Sequence, residues 1–89
     1  MPTARTPAVM WRGLTAWFAI VSRKSYANAH EVKNDFASAS FLGDYRTVFN
    51  IGGNDFRLVV DMRYDLGRVY IRHVLTHAEY TRRLRRDTL

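Results

Sequence analysis

Apolar positions along this chain follow two different periods. Leu14, Trp17, Phe18 and Val21 fall at i, i+3, i+4 and i+7, the stripe of an amphipathic helix, and predict a helix from Leu14 to Arg23–Ser25. A second, shorter helix is predicted from Asn28, a good N-cap, with Glu31 three residues on as in a capping box. Its inward positions are Ala29, Val32 and Phe36. Ser38 to Asp44 reads as a connector with a turn at Gly43-Asp44. Beyond it the period becomes two, and strands are predicted at Arg46–Ile51, Phe56–Tyr64 and Arg68–Leu75. Gly52 and Gly53 supply the positive-φ positions of a tight hairpin, and Asp65-Leu66-Gly67 makes the second turn.

Successive strand side chains alternate faces, so parity sorts them into two sets. Thr47, Phe49, Ile51, Leu58, Val60, Met62, Val69 and Ile71 form the set that the two helices should cover. Arg46, Val48, Asn50, Arg57, Val59, Asp61, Arg63, Tyr70, Arg72 and Val74 form the other. The same parity turns His73 toward the helices as a core or boundary histidine. Grouping Arg46, Arg57 and Arg72 on one face is the economical choice, since the reverse would bury them. The fold class is α+β: two N-terminal helices packed on a small, mostly antiparallel, twisted sheet. Residues 1–89 read as a single domain, with 1–13 a loose lead-in and 81–89 a basic tail.

Composition narrows the partners. Fourteen Lys and Arg against eight Asp and Glu leave a net charge of +6 on 89 residues, which favours acidic partners: nucleic acid, an anionic membrane or an acidic protein. All but Lys24 and Lys33 are arginines, the side chain that grips phosphate bidentately and stacks on bases. With no cysteine, thiolate chemistry and disulfides are excluded, as fits a reducing cytoplasm. Trp11 to Val21 is too short an apolar run to span a bilayer, so a soluble, cytoplasmic protein with no membrane partner is expected.

Several side chains are candidates for chemistry, each with a structural alternative. Arg57 and Arg72, inside otherwise apolar strands, either hold an RNA backbone and neutralise a scissile phosphate or pair with Asp61 or Glu79 as surface ion pairs. His77 carries an imidazole, whose ordinary pKa of about 6.5 suits proton transfer, or it is structural. Tyr80 stacks on a base, donates a proton, or packs under the C-terminal segment. His30 is expected to be solvated. The three histidines lack metal-ligand spacing; no metal site and no cofactor are expected. Gly52-Gly53-Asn54 joins two strands and lacks the helix and the Lys-Ser/Thr pair of a phosphate loop. Arg82-Arg83-Leu84-Arg85-Arg86 reads as a solvated helical end, with non-specific attraction to RNA as the alternative.

Five segments resemble one family: Ser38-Ala39-Ser40-Phe41-Leu42, Val48-Phe49-Asn50-Ile51-Gly52-Gly53-Asn54, Arg57-Leu58-Val59-Val60, Val69-Tyr70-Ile71-Arg72 and Thr76-His77-Ala78-Glu79-Tyr80. Together they look like the signature of HigB toxins, the toxic halves of type II toxin–antitoxin pairs, related in fold to RelE. Leu14 and Trp17 resemble the family's helix before the sheet. Met1 to Met10 does not resemble the strand with which family members begin, so an edge strand is expected to be missing. The resemblance implies a metal-independent mRNA interferase that cuts messages on the translating ribosome, the substrate's 2′-hydroxyl attacking the adjacent phosphate. It also implies a cognate helix-turn-helix antitoxin, HigA-like, that binds the toxin. Carried onto this chain, Arg57 and Arg72 hold the phosphate, His77 transfers a proton, and Tyr80 stacks on or activates the nucleotide. Arg46, Asn50, Arg63 and Tyr70 are the further RNA contacts. A non-catalytic basic RNA- or ribosome-binding module is the alternative, and the oligomeric state is left open.

Overall fold

A computed structural model describes residues 6–87 and 89, with side chains from residue 8. Helix α1 runs Thr6–Val21 and α2 Ala29–Asp35. Four strands follow: β1 Ser40–Gly43, β2 Arg46–Ile51, β3 Phe56–Arg63 and β4 Arg68–Thr76; helix α3, His77–Arg86, ends the fold. The strands form one antiparallel sheet in the order β1-β2-β3-β4. Among the described residues no helix is long and apolar enough to cross a membrane.

Helix α1 begins eight residues ahead of the predicted Leu14, so residues 6–13 are helical where a loose lead-in was expected; residues 1–5 of that lead-in lie outside the described residues. Pro7 did not bar this, because in a first turn its missing N–H has no helical partner to lose. Trp17 and Val21 are buried and Leu14 packs against them, but Phe18 is 63% exposed: the stripe is narrower than four positions. In α2 the expected cap is present. Asn28 Oδ1 accepts from the Glu31 N–H at 3.1 Å, while the Glu31 carboxylate accepts from the Ala27 N–H at 2.8 Å. Asp35 closes the α1–α2 turn, accepting from Lys24 Nζ and from the Tyr26 hydroxyl, both at 2.7 Å. Those two donors hold its carboxyl below the usual range.

The segment expected to be a connector contains a short edge strand instead. Ser40 pairs with Val48 and Phe41 with Thr47, and a shift before Gly43 marks an irregularity. Its side chains are exposed, which is why no alternation announced it. The other strands fall where predicted, and β2 pairs with β3 in continuous register from Arg46–Asp61 to Ile51–Phe56.

Between β3 and β4 the register breaks. Val59 faces His73 but Val60 faces Ile71, so Arg72 is an extra residue, a β-bulge. From the bulge onward parity inverts. Val74, assigned to the cationic face, packs in the main core; Leu75 joins Val48 and Val59 on the opposite face. His73, expected to face the helices, lies beside Val59 on that same opposite face. Ile71 keeps its predicted side but lies on the outer strand and is 57% exposed.

The main core joins Trp17, Val21 and Val32 to Phe49, Leu58, Val60 and Met62, with Phe36 edge-on to Phe49 at 4.8 Å. A second, smaller core of Val48, Val59 and Leu75 lies across the sheet, packed by Tyr80 of α3 and by Leu89. A third helix therefore accompanies the two N-terminal ones and covers part of the face expected to be open.

Helix α1 meets the β2–β3 hairpin at Gly13. A Cβ there would lie 2.6 Å from the Gly52 backbone nitrogen and 3.0 Å from Ile51 Cβ. Gly13→Ala adds roughly 1 kcal/mol of helix propensity but forces the helix off the hairpin, at about 1–3 kcal/mol. The expected net result is destabilisation, read as a lower urea midpoint at unchanged slope.

Candidate functional site

The site is built on the face of the sheet that carries the small second core. Across it the ladder sets Asn50 beside Arg57 and Leu75, Val48 beside Val59 and His73, and Arg46 beside Asp61 and Tyr70. Two apolar valines thus separate a row ending under α3 from a row rich in charge.

In the charged row Asp61 receives two arginines. Arg46 Nε lies 2.7 Å from Asp61 Oδ1, and Arg72 Nη1 lies 3.2 Å from Asp61 Oδ2. Arg46 also donates to the Leu89 carbonyl oxygen. The arginine predicted as a phosphate ligand, Arg72, is thereby in the ion pair that sequence reasoning kept as its alternative, with 41% of its side chain still exposed. Placed at the bulge, it points to the same side as the residue after it, His73. Burial, and then the charges of Arg83, Arg72 and Arg46, depress the His73 pKa, so the ring is held neutral near pH 7.

The second row carries Arg57 and Tyr80. The Arg57 guanidinium sits 5.9 Å from the centre of the Tyr80 ring and donates to the Asn54 and Phe56 carbonyl oxygens at 2.9 and 3.2 Å. It pairs with neither Asp61 nor Glu79. Tyr80 packs on the small core and presents its ring to Arg57.

Helix α3 starts where it does because of a capping box. The Thr76 hydroxyl accepts from the Glu79 N–H at 3.2 Å, and the Glu79 carboxylate accepts from the Thr76 N–H at 2.9 Å. These bonds, the Thr76 backbone first, lower the Glu79 pKa. The box puts His77 at the first helical position, with its N–H donating to the Asp55 carbonyl at 3.1 Å. Tyr80 follows three residues later, on the same side of the helix.

The predicted residues therefore occupy a strip rather than a point. Arg57 lies opposite Leu75, three residues beyond Arg72, or about 10 Å of strand. Two candidates lie at the margin of the strip, Tyr70 on the outer strand in the rung of Arg46 and Asp61. Arg63 is held by Asp65 at 2.8 and 3.1 Å and lies over the Tyr45 ring at 5.0 Å. Tyr70 is exposed. Parity reasoning missed His73 because the bulge leaves no mark in the sequence. Arg83 was counted only as tail; its approach depends on α3 folding back over the sheet. The Thr-x-x-Glu pattern from Thr76 to Glu79 was a legible signal for that helix start. Among the described residues no three His, Asp or Glu side chains are grouped as a metal site would require.

His73 yields a test. Its folded pKa lies below the unfolded value of about 6.5, so the fold favours the neutral ring. Its contribution is complete above the unfolded pKa and is lost as pH falls through the folded one, because the unfolded chain takes up the proton first. Between about pH 7.5 and 5, the wild type is expected to lose more stability than His73→Gln, read as the difference in urea midpoints at each pH.

Residues 12–83 match the family model described as HigB_toxin, RelE-like toxic component of a toxin-antitoxin system. Over 37 residues, 42% of this chain, it is 46% identical to the mRNA interferase toxin HigB of Escherichia coli strain K12 and to the mRNA interferase HigB of Shigella flexneri. That stretch spans 36% of the length of each relative. With the family model covering most of helix α1, all of α2, the whole sheet and most of α3, the chain belongs to the HigB toxin family, the RelE-like toxic component of toxin–antitoxin systems.

Proposed function

We propose that this chain is an mRNA interferase that cleaves messages on the translating ribosome. The observation that carries the reading is the Arg57 guanidinium over the Tyr80 ring, on the same sheet face as Arg72 and one helical turn from His77. Cation and ring side by side suit a phosphate and its neighbouring base.

In this reading the substrate's 2′-oxygen forms a bond to the adjacent phosphorus while the bond from phosphorus to the 5′-oxygen breaks. The products are a 2′,3′-cyclic phosphate and a 5′-hydroxyl. One proton leaves the 2′-hydroxyl and one reaches the 5′-oxygen; His77 takes part in that transfer. Arg57 and Arg72 hold the phosphate and neutralise the charge that builds on its oxygens. Tyr80 stacks on the nucleotide. Arg46 and Asn50 extend the contact along the strip, and Arg63 and Tyr70 meet RNA beyond it. The nucleophile belongs to the substrate, so the reading calls for no metal or cofactor. The family supports a cognate antitoxin as partner, here a helix-turn-helix HigA-like protein, and a cytoplasmic setting.

Induced expression of the wild type is expected to arrest growth, with primer extension finding cuts inside translated regions of a reporter message. His77→Gln and Arg72→Ala should each lower cutting by about a hundredfold or more while ribosome association persists. Arrest without cuts, with loss in both variants only in proportion to lost charge, would instead identify a basic module that blocks translation by binding.

A further inference from the structure

The side of β4 that faces away from β3 is a free edge: it ends the sheet, and among the described residues no strand pairs with it. Such an edge presents a row of backbone donors and acceptors ready for another strand. The other edge, β1, has four residues and an irregularity, whereas β4 has nine.

Helix α1 overhangs this edge with uncovered apolar side chains. Trp11 is 62% exposed, Phe18 63% and Ile71 57%. With Leu14, Thr15 and Trp17 they line a cavity of about 280 Å³, and a second of about 270 Å³ continues from Phe18 to Gly67. We propose that the outer edge of β4 from Arg68 to Ile71, with the α1 groove above it, docks an extended partner segment in which apolar and acidic residues alternate.

The alternation follows from the register. Val69 and Ile71 lie opposite Met62 and Val60, on the α1 side; Arg68 and Tyr70 lie opposite Arg63 and Asp61, on the other. A strand added beside them presents its own side chains in the same two rows. One row enters the groove and must be apolar. The other meets Arg68 and Arg72, where carboxylates fit. Among the described residues no carboxylate pairs with Arg68, and the nearby acids are engaged: Asp61 by Arg46 and Arg72, Asp65 by Arg63. A second copy of this chain fits poorly. Antiparallel pairing of β4 with itself about Tyr70 sets Arg68 of one copy against Arg72 of the other, between molecules of charge +6 each. The bulge at Arg72 ends the regular run, so the docked segment is short. The site stands on edge geometry and holds whether or not the chain cuts RNA.

The probe is a blocked heptapeptide, Glu-Val-Glu-Leu-Glu-Val-Glu, with its lysine counterpart as control, titrated calorimetrically into the whole chain and followed by hydrogen exchange of the β4 amides. The acidic peptide is expected to bind and slow exchange at residues 68–71, and the lysine peptide to bind at least tenfold more weakly. Phe18→Glu and Arg68→Glu, both at exposed positions, should keep the unfolding temperature and weaken binding at least tenfold. No binding at about 1 mM peptide, equal binding of both peptides, or binding indifferent to both variants would overturn the proposal. So would sedimentation showing that the chain alone dimerises and that Phe18→Glu abolishes the dimer, which would give the face to a second copy.

Discussion

One inserted residue organises the functional side of this molecule. Arg72 bulges from β4, and beyond it each side chain of the strand emerges on the side opposite to simple alternation. That inversion delivers Leu75 to the small core with Val48 and Val59, and so gives Tyr80 of α3 an apolar seat. It also sets Arg72 and His73 next to each other on one face, which a regular strand forbids. With uninterrupted pairing, Leu75 would enter the main core and the first turn of α3 would have Val74 beneath it. The seat of α3 and the cationic cluster thus have a common origin.

Both faces of β3 are covered as a result. Leu58 and Val60 lie under α1 and α2, and Val59 lies under α3; all three are fully buried. The Thr76–Glu79 capping box completes the arrangement by starting α3 directly at the end of β4. The segment from Thr76 to Tyr80 serves two purposes: threonine and glutamate fix the helix start, while histidine and tyrosine are presented by it. Substitutions at Thr76 or Glu79 would thus disturb the site through the placement of the helix.

Much of this was legible. Helix α2 and its cap, the two hairpin turns and the faces of β2 and β3 follow from periodicity and turn chemistry. Asn28, Gly52 and Phe49 each do what local rules say. The failures have physical reasons. Strand β1 hides because its exposed side chains do not alternate. The early start of α1 hides because Pro7 reads as a break when it is tolerated in a first turn. Phe18 reads as core because helical spacing says nothing about how far the sheet extends beneath the helix. The misplacement of His73 comes from the bulge, a property of pairing between strands that neither strand's sequence encodes alone. In the candidate site, Arg57 and Tyr80 were named from sequence and lie together; the Asp61 bridge between Arg46 and Arg72 depends on register and emerged only with the fold.

That bridge sets how the surface greets a polyanion. Asp61 already acts as an internal counter-anion to two arginines. In the proposed function, a phosphate that reaches Arg72 has to displace a tethered carboxylate, so the net release of mobile ions on binding is smaller there. The salt sensitivity of RNA association should fall short of what the number of arginines on the face implies. In exchange, the two arginines are pre-aligned and their mutual repulsion is reduced by the carboxylate between them.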